Sequence, residues 1–145
     1  MNVMNLFSIN WLSVLFSVLI SMFSGSIWYN PKTFFNVWWR GIGKGPDDVP
    51  GAGSSMALVW GFTLLSSLVQ AIFMGLAVSI TGNLWGGSTV VSGALTGFLL
   101  WLGFIAPTYL VNKLFAGHGF KIWAIEAGNH LVNFLLFGAV FGLWH

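Results

Sequence analysis

The sequence predicts an all-α integral membrane protein: a four-helix bundle with one short amphipathic helix lying in the membrane interface between the first and second spans. Three observations predict it. Only 6% of the 145 residues are charged and 57% are hydrophobic, whereas a soluble domain carries roughly a quarter charged residues. The charges are bunched, with Lys32, Arg40, Lys44, Asp47 and Asp48 in one group and Lys113, Lys121 and Glu126 in another. The charge-free stretches hold about four helices of about 20 residues, the length that a bilayer core requires. Residues 1–145 therefore read as a single transmembrane domain.

The first span is expected at about 11–29, with Trp11 at one end and Trp28 and Tyr29 at the other as an aromatic belt. The run Met1–Asn5 has no positive charge and no A-x-A-like cleavage site follows the first apolar run. The span thus reads as a retained helix and not as a signal peptide. Asn30-Pro31 suits an N-cap followed by proline at the first position of a new helix, expected at about 31–42. Phe34, Phe35, Trp38, Trp39 and Ile42 fall on one side of it, with Lys32, Asn36, Arg40 and Gly43 on the other. That pattern lies in the interface plane, aromatics toward the acyl boundary.

Residues 41–55 form the linker, with Pro46 and Pro50. Its Gly-Ile-Gly-Lys-Gly run has the wrong glycine spacing for a phosphate loop, no Ser or Thr after Lys44 and no strand before it. The second span is expected at about 56–80, capped by Ser54 or Ser55, the third at about 89–111 after Ser88, and the fourth at about 122–144. All five Lys and Arg lie in the first and third connections and none in loop 81–88. The positive-inside rule then places both basic loops in the cytoplasm and both termini outside. The net charge of +2 thereby argues orientation in the lipid bilayer and not a nucleic-acid partner. The absence of cysteine excludes disulfides and cysteine-ligated metal clusters.

Ionisable groups at membrane depth are functional candidates by default. Glu126 and His130 are four residues apart and share a helix face, which Asn133 continues. Measured from Lys121, they lie about 7, 13 and 18 Å deep. Pro107 cannot donate to the Gly103 carbonyl, and Gly103 and Thr108 lie at depths that Glu126 or His130 reaches. Gln70 is level with Asn133, and Trp28 and Tyr29 belong to the same half. Two readings fit these residues: interhelical hydrogen bonds that fix packing, or a site for a proton, small solute or lipid. A metal would need ligands from a second subunit, because one Glu and one His supply at most two. A pigment site is a further reading, the cofactor is left open, and no Ser–His–acid or paired-carboxylate constellation can be assembled. His118 reads as a loop residue and His145 lies at the opposite end. Gly93-x-x-x-Gly97, Gly138-x-x-x-Gly142 and Ser21-x-x-x-Gly25 permit close helix approach. Ala124, Gly128, Gly138 and Gly142 lie roughly opposite the polar stripe, so the fourth helix packs on two faces, within the bundle or against a homo-oligomer or larger membrane complex. A non-catalytic accessory subunit is accordingly the alternative to a ligand-handling protein.

Several runs resemble motifs of one family: Gly25-x-x-Trp28-Tyr29-x-Pro31; Trp101-Leu-Gly-Phe104 with Pro107-Thr108 and Asn112-Lys113-Leu114-Phe115; and Ala127-Gly128-x-His130 leading to Gly138-x-x-x-Gly142-Leu143-Trp144. Together they resemble the bacterial membrane-protein family known as domain of unknown function 1761, over nearly the whole chain. The resemblance implies four helices in a bacterial membrane and no assigned activity. Where that family often has an aromatic before the histidine, this chain has Asn129.

Overall fold

The computed structural model describes residues 8–145; the Met1–Asn5 run lies outside them. The elements are α1 (Trp11–Trp28), α2 (Phe35–Gly41), α3 (Met56–Leu84), α4 (Val90–Phe115) and α5 (Gly119–Leu143). All but α2 are long and apolar enough to cross a membrane. Half of the apolar window of α5 is buried, against 22–28% in the other three, so α5 is the central helix.

The helix starts follow side-chain capping. The Asn10 carboxamide oxygen accepts from the Leu12 and Ser13 amides, and Ser55 Oγ accepts from Leu58 N. Before α4 the cap is Thr89 and not Ser88, because Thr89 and Ser92 form a reciprocal capping box. The second span continues four residues past the expected 80, to Leu84, and the fourth starts at Gly119.

The expected helix at 31–42 is shorter. Asn30 does cap a turn, with its side chain accepting from Lys32 N. The turn does not propagate, because Phe35 N bonds back to Asn30 O and the Thr33 hydroxyl donates to the Ile27 and Asn30 carbonyls. Regular helix begins only at Phe35. Its aromatics are not all turned outward: Trp39 is buried and donates to Gly45 O.

Within α4, residues Trp101–Ile105 form a π turn, in which Ala106 N reaches back to Trp101 O. The turn precedes Pro107, whose missing N–H breaks the α-helical ladder. One extra residue in a turn rotates the rest of the helix by about 100°.

The core is Val14, Ala71, Met74, Val78, Phe134, Phe137 and Phe141, from the terminus-proximal halves of α1, α3 and α5. There the start of α1 is tied to the end of α5, with Asn10 Nδ2 and Ser13 Oγ both donating to Trp144 O. Toward the basic loops α3 departs from the bundle. Residues Met56–Ser66 are exposed apart from half-buried Val59, and the gap they leave is the candidate site.

Candidate functional site

The gap is an open-sided cleft of about 790 Å³, within the usual range for small-molecule sites. Ser21 and Gly25 of α1, with Tyr29 at its C-cap, and Met56, Trp60 and Thr63 of α3 line it. Phe35 and Trp38 come from α2, Tyr109 from α4, and Asn129, His130 and Asn133 from α5. Gly25 leaves real space, since a Cβ added there meets nothing within 4 Å.

Of the residues singled out in the sequence, His130, Asn133, Gln70 and Tyr29 line this cleft. The Tyr109 hydroxyl and His130 Nε2 lie 2.9 Å apart, with the two rings tilted at 5.1 Å between centroids. His130 Nδ1 and Asn133 Oδ1 are shielded and have no protein partner, although buried polar atoms ordinarily do. Asn129 turns to α1 and donates to Ser24 Oγ.

Glu126 is not the partner of His130. Its Oε2 lies 2.9 Å from Lys113 Nζ and its Oε1 accepts from the Trp38 indole at 2.8 Å. The physical reason is the length of α4. Running to Phe115 and not to 111, it carries Lys113 within its last turn and brings the ammonium to the carboxylate. Thr108 is also absent from the cleft: it is exposed, and its hydroxyl donates to Phe104 O in its own helix. Trp28 lies behind the cleft and donates to Ile125 O at 2.7 Å.

Trp28 belongs to an arrangement that sequence reasoning missed. Indoles from α1, α2 and α4 bind three successive residues of α5: Trp28 at the Ile125 carbonyl, Trp38 at the Glu126 carboxylate and Trp101 at the Ala127 carbonyl. Trp123 returns the arrangement by donating to Ala106 O. Successive helical residues point about 100° apart, so the three indoles girdle α5 just below the cleft. The signal for it was Trp101, which sits mid-span and away from any belt. A buried indole N–H needs an acceptor.

The glycines divide between two partners. A Cβ on Gly93 or Gly97 would collide with the Gly138 and Phe134 carbonyls, and one on Gly142 with the Thr89 carbonyl. Gly93, Gly97, Gly138 and Gly142 thus form a seam between α4 and α5 inside the chain. Gly128 faces α1, where its missing side chain admits the Trp28 ring. Ser21 donates to Ser67 Oγ, joining α1 to α3. Among the described residues no three His, Asp or Glu side chains gather to hold a metal.

Four apolar helices, three of them packed around the central α5, with a polar-floored cleft between them, define a multi-pass membrane protein. The sequence matches the family described as Protein of unknown function (DUF1761) over residues 12–142, and the chain belongs to that family. No curated protein and no solved structure matches it.

Proposed function

We propose that this protein binds a small membrane-partitioned molecule in the cleft between α1, α3 and α5. One observation carries the reading: the cleft is of ligand size, and His130 and Asn133 on its floor each retain a buried polar atom with no protein partner. Its walls come from the apolar helices, including Met22, Trp60 and Phe62, so a bound molecule lies at bilayer depth and enters from the lipid. Glu126 serves structure in this reading, with its charge matched by Lys113. The polar stripe of α5 is therefore split between an anchor and a binding floor.

Filling the cleft tests the reading. Gly25 of α1 and Thr63 of α3 both line it, so Gly25→Phe with Thr63→Phe obstructs it without altering His130 or Asn133. Native mass spectrometry of the protein released from mild detergent is expected to show lipid-sized adducts on the wild type and to lose them in the double variant. Equal adducts on both proteins would refute the cleft as the site.

The orientation proposed with it follows the basic loops, both cytoplasmic, in a bacterial inner membrane with the termini outside. Single cysteines at Ser8 and Gly86 are expected to label from the periplasm of intact cells, and those at Gly45 and His118 only after permeabilisation. Periplasmic labelling of Gly45 would reverse the orientation.

A further inference from the structure

The chemistry of the cleft restricts what it holds, an inference that rests on the ligand reading above. None of the residues that line the cleft is Lys, Arg, Asp or Glu. The nearby charges, Lys113 and Glu126, satisfy one another at 2.9 Å, and Trp38 donates to that carboxylate. A charged head group entering the cleft would lose its hydration without gaining a counter-ion, which is costly in a medium of low polarity. The ligand is therefore uncharged.

Its polar atom is specified further by the floor. Asn133 is only 6% exposed, and its Oδ1 lacks a donor. A carboxamide oxygen only accepts hydrogen bonds, so the group that meets it must donate. His130 Nδ1, three residues earlier on the same helix face, is also unpartnered. When Tyr109 donates to Nε2, the neutral imidazole carries its proton on Nδ1 and needs an acceptor. A hydroxyl does both, accepting from one group and donating to the other, whereas a ketone, ester or ether only accepts. Around this floor, Met22, Trp60, Phe62 and Met56 supply apolar walls for a hydrocarbon body. We propose that the ligand is a neutral lipid alcohol: a free hydroxyl head on an apolar chain, from a diacylglycerol or an isoprenoid alcohol.

Trp38 and Trp60 line the cleft, so brominated probes that quench indole fluorescence report occupancy. Full-length protein in phosphatidylcholine nanodiscs is titrated with 9,10-dibromooctadecanol, its methyl ether and its sulfate ester. The alcohol is expected to quench saturably and to bind about tenfold more tightly than the ether, the scale of one lost hydrogen bond to a buried partner. The sulfate is expected to bind more weakly still. Asn133→Leu, which removes the acceptor at similar volume, is expected to erase the difference between alcohol and ether. Competition by unlabelled dioleoylglycerol or geranylgeraniol then identifies the lipid source. An ether or sulfate that binds as tightly as the alcohol, while the Gly25→Phe/Thr63→Phe protein binds none of them, overturns the hydroxyl assignment and leaves the cleft as a binding site. Absence of saturable quenching, or equal quenching of the filled variant, overturns both. The comparison of alcohol with ether in unmodified protein stands even if Asn133→Leu fails to insert.

Discussion

Glu126→Gln is expected to destabilise the protein by roughly 3–5 kcal/mol, the usual cost of removing one member of a buried ion pair. The glutamine retains an oxygen for the Trp38 indole, so the substitution isolates the charge. What remains is the Lys113 ammonium within the last turn of α4, with its counter-ion gone. The Lys113 and Glu126 side chains are only 14% and 11% exposed, so water screens neither of them well. Exposed pairs contribute far less. Lys113→Met with Glu126→Met removes both charges at once and is expected to recover most of the loss, because two apolar side chains need no compensation in that setting. Unfolding in mixed micelles, followed by helical circular dichroism, gives the three stabilities. A Glu126→Gln protein as stable as wild type would place the pair in a well-hydrated environment and remove its structural role. Activity-based screens of Glu126 variants would otherwise mistake this loss for a catalytic effect.

The number of spans, and the existence of an extra element after the first, were legible because composition and charge clustering are one-dimensional properties. The α4–α5 seam was half legible. Spacing marks Gly93/Gly97 and Gly138/Gly142 as close-approach residues, yet the same spacing serves a contact within the chain or between chains, and only the azimuth of each helix decides. Azimuth also misled at Glu126. Sharing a face with His130 said nothing of Lys113, whose position depends on where α4 stops. The π turn at Trp101–Ile105 rotates Tyr109 relative to the first half of its helix, so that its approach to His130 was hidden from any regular helical projection. Thr108 matched in depth, but its hydroxyl bonds to Phe104 O within its own helix, which depth alone does not reveal. The cleft itself had no sequence signature. It arises because α3 packs through Ala71, Met74 and Val78 and diverges before them, a property of crossing geometry and not of any residue pattern. The hydroxyl of Thr33 likewise closes a turn whose local pattern reads as helix.

Gly138→Leu is expected to have the second large effect, lowering stability by more than the roughly 1–3 kcal/mol typical of overpacking. At this position the obstacle is backbone and not a mobile side chain. A Cβ on Gly138 meets the Gly93 carbonyl and also approaches the Ala94 Cα at 3.3 Å. No rotamer change relieves that collision, so the helices must separate and forfeit the van der Waals contact that drives association in lipid. Gly138→Ala already places the offending atom and is expected to fall within the roughly 1–3 kcal/mol range. Gly61 supplies the control, being helical in α3 with nothing within 4 Å of an added Cβ. Gly61→Ala is expected to be neutral or to stabilise by about 0.5–1 kcal/mol through helix propensity alone. The same micelle unfolding assay reads all three, and light scattering reads the particle mass beside it. Because the seam joins two helices of one chain, Gly138→Leu and Gly142→Leu should lower stability while leaving the particle mass unchanged. A fall in mass with stability retained would instead assign this face to a contact between subunits, since only then does the substitution act on a separable partner.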